Sequence, residues 1–188
     1  LDRGAQIEAK NNKNGLTALA KAACFNHVDA INLLLDRGAQ LEAKNNQGVT
    51  ALGWAVLNGS VDAAKLLLDR GAELEAKSNS GRTALGGAAA KNHVDAIKLL
   101  LDRGAQLEAK ENNGTTALTQ AAVGGAVDAV KLLLDRGASY VAINDGRTPY
   151  DIACLAAKPE NKARIQELLR PLHEEYLRTK DPAPAPAP

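Results

Sequence analysis

The feature that most constrains this chain is a short sequence, Leu-Leu-Leu-Asp-Arg-Gly-Ala, that returns at a fixed interval. The glycines of its full copies are 33 residues apart and are Gly38, Gly71, Gly104 and Gly137. A truncated copy opens the chain and has its glycine at Gly4. A fixed period of this size is typical of a solenoid, in which each unit buries its apolar face only against its neighbours. Because such a chain offers a long surface, we expect binding rather than catalysis.

The copy that follows Gly71 shows how one unit should fold. Its Asn-Ser-Gly stretch predicts a turn at the tip of a hairpin-like finger, and Thr83 is a suitable N-cap. A first helix is predicted over 84–91 and a second over 94–102, since the second has apolar residues at i, i+3 and i+4. Gly104 then ends the second helix in the left-handed conformation that glycine adopts without strain.

The repeated pattern Gly-x-Thr-Ala-Leu-x-x-Ala, followed after eight residues by Ala-x-x-Leu-Leu-Leu-Asp-Arg-Gly-Ala, resembles the ankyrin repeat. The resemblance covers about residues 1–170, and the last copy keeps the Thr-Pro pair of the family at Thr148-Pro149. In the earlier copies an alanine replaces that proline, and the usual histidine after the leucine is absent. The asparagine that the family carries in its hairpin is replaced by glutamates, which are Glu8, Glu42, Glu75 and Glu108.

The resemblance implies an all-α solenoid of stacked helix-turn-helix units with hairpin-like fingers. We expect about five ankyrin repeats over residues 1–157, the first of them truncated, and a C-terminal capping helix over 158–180. Pro171 could kink that helix or start a second one. The Pro-Ala tail, 181–188, favours either a stiff extended spacer or a disordered end.

Charge and composition exclude several classes of partner. The chain has 23 Lys and Arg against 22 Asp and Glu, and a net charge of +1, which argues against nucleic acid or an anionic membrane. No apolar run approaches the roughly 20 residues that span a bilayer. Cys24 and Cys154 lie four repeats apart, too far to pair, so we expect a cytoplasmic protein with reduced thiols.

Catalysis and metal binding find little support in the sequence. The histidines are His27, His93 and His173, and the first two occupy the break between paired helices. Cys24 and His27 have ligand-like spacing, but no second pair completes a tetrahedral zinc site. There is no phosphate-binding Gly-Lys-Ser/Thr loop and no dinucleotide-binding glycine motif. We therefore predict no enzyme activity, no catalytic residue, no metal, no cofactor and no small-molecule substrate.

The ankyrin resemblance implies a protein-protein interaction module or scaffold that binds on its concave face and finger tips. The expected finger residues are Asn46, Gln47, Asn79, Ser80, Arg82, Asn112 and Asn113. Those on or after the first helices are Phe25, Trp54, Leu57, Asn58 and Lys91. Aromatic side chains often anchor interfaces. Trp54 has an alternative role, in which it fills a gap beside glycines in an alanine-rich stack.

Two further patterns have competing explanations. The helical glycines either open a groove floor for a partner or allow close packing between repeats, and we favour close packing; they are Gly53, Gly86, Gly87 and Gly124. The repeated Glu-Ala-Lys triplets should stack into acidic and basic ladders, which we expect to be a solvated surface of little energetic weight. The spacing between the two glycines that bound a finger falls from 11 residues in the first copy to 9 in the last. The spacing across the helical part of each unit stays at 23 residues.

Two alternatives to a free binding module are compatible with the sequence. The array could be a structural subunit or spacer within a large permanent multi-subunit complex, with the Pro-Ala tail lying along its neighbours. It could also be a targeting arm for an enzyme encoded before Leu1, because the chain starts inside a repeat.

Overall fold

The computed structural model describes residues 6–140, 146–156 and 159–180. The truncated copy around Gly4 and the Pro-Ala tail lie outside the described residues. Within them the chain forms ten helices and no strand. The helices are α1 (Ala18–Cys24), α2 (Val28–Asp36), α3 (Ala51–Leu57), α4 (Val61–Asp69), α5 (Ala84–Ala90), α6 (Val94–Asp102), α7 (Ala117–Gly124), α8 (Val127–Asp135), α9 (Pro149–Ala156) and α10 (Pro159–Lys180). This repeating pattern of paired helices confirms the all-α solenoid.

Local sequence sets the helix ends largely as predicted. The side chain of Thr83 accepts a hydrogen bond from the Gly86 amide, and Thr17 and Thr50 cap their helices in the same way. The second helix of the third unit spans the predicted residues 94–102, whereas the first ends one residue early, at Ala90. Each second helix of the repeats is followed by a glycine with a φ between 84° and 88°. Glycine is favoured there because it has no Cβ to clash.

Burial between neighbouring units forms the core. First helices pack on first helices and second helices on second helices along the array. The contact surface of the first helices is built from alanine and leucine, and Ala88, Ala89, Ala121 and Ala122 are completely buried. Larger side chains from the second helices complete the core, among them Ile31, Leu67, Ile97, Leu100 and Leu133. Small residues on the first helices therefore set how closely the units can stack.

The fingers are tight turns that bond to one another along the array. In the third unit the Ser78 amide donates to the Arg82 carbonyl at 3.0 Å, which closes a hairpin-like loop. The Asn79 amide donates to the carbonyl of Gln47 in the preceding finger, also at 3.0 Å. The Asn112 amide repeats that bond to Ser80 at 3.1 Å. The finger tips thus form a hydrogen-bonded stack rather than a set of separate loops.

The Glu-Ala-Lys ladders are more than a solvated surface. The carboxylate of Glu75 accepts a hydrogen bond from the Gln106 amide of the next unit at 2.8 Å, and Lys77 donates to the Lys110 carbonyl at 3.1 Å. The same carboxylate-to-amide bond occurs at every boundary from the first to the last repeat, from Glu8, Glu42, Glu75 and Glu108. Our expectation of a merely screened surface was therefore incomplete, because these side chains satisfy backbone groups across each boundary.

The break between paired helices connects the units in two different ways. Asn92 has a φ of 59°, and its side chain accepts a bond from the Ala129 amide at 2.8 Å, which caps α8 of the next unit. Asn26 caps α4 through Ala63 in the same manner. At the intervening break Gly59 stands in place of asparagine, and a Cβ there would lie 2.8 Å from the imidazole of His93. That imidazole instead contacts the Leu57 carbonyl at 3.2 Å.

Close packing explains only one of the four helical glycines. A Cβ on Gly124 would lie 2.1 Å from the Ala90 carbonyl oxygen, so the two first helices approach through backbone and only glycine fits. Gly86 has merely ordinary contacts at 3.5 Å or more. Gly53 and Gly87, by contrast, face a cavity between the second and third fingers.

The array ends against one long helix. α10 runs unbroken through Pro171 and packs on α8 and α9, so a second helix does not start there. Ile165 and Leu169 are completely buried in this contact. The side chain of Asn161 donates a hydrogen bond to the Gly125 carbonyl at 2.8 Å. This bond reaches back to the preceding unit, as the contact of His93 with the Leu57 carbonyl does earlier in the array.

We expect Gly124→Ala to lower the free energy of unfolding by about 2 kcal/mol, because the new Cβ would force α5 and α7 apart. Gly86→Ala is the matched control on a neighbouring first helix. It should raise that free energy by up to about 1 kcal/mol, since alanine favours the helix and the site has room. Urea unfolding followed by circular dichroism measures both. Equal effects of the two substitutions would contradict the packing role of Gly124.

Two substitutions at Asn92 separate its cap from its backbone conformation. Asn92→Gly removes the cap bond from Ala129 together with the weaker exposed bond to Asp128, and should cost about 1 kcal/mol. Asn92→Ala also places a Cβ in the left-handed region and should cost about 1 kcal/mol more. Urea unfolding gives the difference, and amide exchange at Ala129 should accelerate in both variants. Equal stability of the two variants would show that the backbone conformation carries no cost.

Candidate functional site

Most residues predicted to bind a partner lie exposed on one surface, which we call the finger face: the finger tips together with the C-terminal ends of the first helices. Nine of the twelve predicted residues are exposed there, and they are Phe25, Asn46, Gln47, Asn58, Asn79, Ser80, Lys91, Asn112 and Asn113. Leu57, Arg82 and Trp54 are half-buried. The repeat explains this arrangement, since equivalent positions in stacked units project from the same side.

A cavity of about 400 Å³ opens on the finger face between the second and third fingers. It is bounded by α3 and α5 and lies over Gly53 and Gly87. Six of the predicted binding residues line it, namely Asn46, Gln47, Leu57, Asn79, Ser80 and Arg82. The structure therefore places half of the predicted binding residues around one cavity.

The cavity exists because a glycine, Gly87, occupies a position at which other units carry a long side chain. Gly87 occupies the position that Lys21 and Gln120 hold in the first and fourth units. At the next boundary Gln120 is buried and bonds to the guanidinium of Arg82, so the corresponding space is filled. The cavity is thus a local interruption of the repeat, and the sequence signal for it was the glycine at a position where other copies carry long side chains.

Arg82 is held in a fixed position at the wall of the cavity. Its Nε lies 2.9 Å from a carboxylate oxygen of Glu111, whose side chain is only 7% exposed. One terminal nitrogen, Nη2, donates to Gln120 at 3.3 Å, and Gln120 in turn donates to the Thr115 hydroxyl at 3.1 Å. An arginine that is held in this way would lose little side-chain freedom on binding a further acceptor.

Three of the predicted finger residues also have a structural role. The side chain of Asn79 donates to the Asn46 carbonyl at 3.1 Å, and that of Asn112 donates to the Asn79 carbonyl at 3.0 Å. The side-chain oxygens of Asn46, Asn79 and Asn112 each lie over the finger glycine of the preceding unit, where a Cβ would come within 2.4 Å of that oxygen; these glycines are Gly15, Gly48 and Gly81. The predictions from sequence missed this role, although the recurrence of asparagine every 33 residues was a signal for it.

The two aromatic anchor candidates lie outside the cavity lining. Phe25 is 58% exposed, with the ammonium of Lys21 5.0 Å from its ring centre and His27 stacked beside it. Trp54 packs against the core, and its indole N–H is buried without a partner. Of the three candidates Phe25, Trp54 and Leu57, only Leu57 lines the cavity.

A second polar cluster, at the junction of α9 and α10, has the composition of a catalytic site. The hydroxyl of Thr148 lies 3.2 Å from Nδ1 of His173 and donates to Asp151 at 2.7 Å. The Asp151 amide also donates back to that hydroxyl, which makes the pair a capping box at the start of α9. Thr148 is 1% exposed, so no substrate reaches its hydroxyl. His173 also stacks on Tyr150, and the cluster docks the last helix.

Hydrogen bonding sets the ionisation of this cluster. Partial burial alone would raise the pKa of Asp151, but the bonds from the amide and hydroxyl of Thr148, with the charges of His173 and Arg147, lower the pKa overall. Burial is the main cause that raises the pKa of the Tyr140 hydroxyl, which lies 3.0 Å from His173. Asp151 is therefore charged, and stabilises the junction, over the whole neutral range.

The described part of the chain contains neither a candidate metal site nor a helix suited to span a membrane. Residues 6–140, 146–156 and 159–180 contain no group of three His, Cys, Asp or Glu side chains placed to hold a metal. None of the helices found in those segments combines the length and the apolar composition that crossing a bilayer requires.

Comparison with known proteins assigns the family. A model described as ankyrin repeats (3 copies) matches residues 1–78 and 70–145. The chain belongs to the ankyrin-repeat family. Comparison with curated proteins gives no match. Ankyrin repeats are generally protein-protein interaction modules and typically non-catalytic, which agrees with an array whose exposed finger face carries a cavity lined by polar and apolar groups.

The lowered pKa of Asp151 predicts an acid-sensitive C-terminal junction. Because the folded-state pKa lies below that of the unfolded chain, the stabilisation is present above about pH 4 and is lost as the pH falls through the folded-state value. Urea unfolding between about pH 5 and pH 2 should show a smaller loss of stability for Asp151→Asn than for the unsubstituted chain. Identical pH profiles would contradict the assignment.

Proposed function

We propose that this ankyrin-repeat chain is a protein-binding module or scaffold that holds its partner on the concave side, through the finger face. The observation that carries the proposal is the cavity between the second and third fingers, because six of the residues selected from the sequence line it. The family supports the same function, since ankyrin repeats generally bind other proteins.

The residues around the cavity would supply the outer part of such an interface. Phe25 offers an exposed apolar ring at one end of the first helices, and Asn58 and Lys91 offer exposed polar groups at equivalent positions in the next two units. Interfaces commonly join a few apolar anchors to a polar rim. Trp54, already packed on the core, would contribute only its exposed edge.

We further propose a non-catalytic, cytoplasmic protein without a cofactor, whose partner is another protein and not nucleic acid, membrane or a small-molecule substrate. Both cysteines are free thiols, as a reducing compartment would keep them. We divide the chain into the repeat array 1–157, the cap 158–180 and the tail 181–188. The burial of Ile165 and Leu169 against the array supports the capping role of the second segment.

Affinity capture with crosslinking mass spectrometry tests the proposal. The unsubstituted chain should capture a partner that crosslinks to Lys13 or Lys91, both exposed on the finger face. The double variant Phe25→Ala/Trp54→Ala, verified as folded by circular dichroism, should bind that partner at least about thirtyfold more weakly. Leu33→Ala is the matched control, because Leu33 is 50% exposed on α2, a second helix, and should leave binding unchanged.

The rival structural role gives a different result in the same experiment. A subunit or spacer of a permanent assembly would retain all its partners in the double variant. Its crosslinks would then come from the second helices and from α10 rather than from the finger face. That outcome would overturn the proposed site and favour the structural alternative.

A further inference from the structure

The shape of the cavity limits what can enter it. Part of its lining is apolar and consists of the side chains of Val49 and Leu57. Gly53 and Gly87 line it without a side chain. Ser78 and Ser80, which bond to each other at 3.0 Å, also line it. A volume of about 400 Å³ accommodates a large aliphatic side chain together with the backbone that carries it.

The charge of the cavity limits its occupant further. Of the described lining residues, Arg82 alone carries a charge. Its partner Glu111, which is not part of the lining, engages Nε, and Gln120 engages Nη2. Among the described residues Nη1 has no hydrogen-bond partner, so it can donate to an additional acceptor. A carboxylate placed there would complete a Glu111–Arg82–carboxylate arrangement with charge-assisted hydrogen bonds.

The rim supplies groups that a peptide backbone can use. Gln47 is exposed at the rim, and its carboxamide carries both a donor and an acceptor. Its own backbone is already engaged, since its amide bonds to Asn45 and its carbonyl accepts from Asn79. The side chain is therefore positioned by a rigid turn and can pair with the alternating donors and acceptors of an extended chain.

We propose that this cavity binds a peptide segment of the partner protein in which an aliphatic side chain stands next to a carboxylate. The aliphatic group lies over Gly53 and Gly87 against Leu57, and the carboxylate accepts hydrogen bonds from Arg82. This inference rests on the proposed function and specifies the chemistry of the partner at one point of the finger face.

Short blocked peptides provide the probes. The test peptide is acetyl-Gly-Leu-Asp-Gly-amide, and its controls replace Asp by Asn or by Lys, or Leu by Ala. Each is titrated into the full ¹⁵N-labelled chain and followed by amide chemical shifts. We expect the Leu-Asp peptide to shift the amides of Leu57, Arg82 and Gly87, and to bind about tenfold more tightly than the Leu-Lys peptide. Replacement of Leu by Ala should also weaken binding.

Two variants locate the binding in the cavity. Gly87→Gln inserts the residue that the fourth unit already carries at the equivalent position. Its Cβ would lie 3.1 Å from Cδ2 and 3.4 Å from Cγ of Leu57, so that side chain has to shift by a few tenths of an ångström. The variant should fill the cavity and abolish the shifts. The double variant Arg82→Gln/Glu111→Gln removes the charge pair without leaving a buried carboxylate unpaired. It should abolish the preference for Asp over Asn.

A matched double variant controls for the loss of an ion pair. Arg103→Gln/Asp69→Asn removes a pair of similar length, 2.9 Å, at the ends of two second helices, and leaves the net charge unchanged. It should bind the Leu-Asp peptide as the unsubstituted chain does. Gly86→Ala, a neighbour of Gly87 that does not line the cavity, controls for a changed α5.

Several results would overturn the proposal. Equal affinity for the Asp and Lys peptides would remove the role of Arg82, and shifts that persist in Gly87→Gln would place the peptide elsewhere. No binding by any peptide would also overturn it. If the Phe25→Ala/Trp54→Ala variant still loses a captured partner in that case, the proposed function stands and only the chemistry assigned to this cavity fails.

Discussion

Every unit of this protein depends on its neighbours to cover the apolar side of its first helix. Alanines such as Ala88 and Ala121 are fully buried at these contacts, and at Gly124 the backbone itself touches the preceding helix. Because no unit has a core of its own, the spacing between first helices is fixed by their smallest side chains. The fingers obey a weaker constraint. They are joined by backbone hydrogen bonds at their tips, which tolerate changes in loop length.

Polar bonds across the boundaries add regularity to this packing. The carboxylate of each hairpin glutamate satisfies an amide of the next unit. At the helix breaks, an asparagine caps the next unit across the first and third boundaries, and His93 contacts Leu57 across the second. Each exposed bond is weak, but a nearest-neighbour array sums the same small contribution at every boundary. The exception lies between the second and third units, where Gly87 stands in place of a long side chain and a cavity results.

Much of the fold was accessible from the sequence, and the site only in part. The period, the threonine caps and the glycine stops predicted the helices to within a residue, as at Thr83 and Gly104. Of the predicted finger residues all but the half-buried Arg82 are exposed, but their contacts were not foreseen. The role of Asn79 in finger stacking and the pairing of Arg82 with Glu111 both join residues from different units. Helical periodicity within one unit carries no information about such pairs.

The sequence by itself determined the family, the unit length and the position of each helix, because these follow from local patterns repeated at a fixed interval. Only the tertiary structure decided which helical glycines serve packing and which open a cavity. Gly124 and Gly87 are equally small in the sequence, yet a Cβ would meet a backbone carbonyl oxygen at Gly124 and a movable side chain, that of Leu57, at Gly87, which lines the cavity. That difference depends on the side chains that the adjacent unit brings to the boundary, and these are known only once the units are stacked.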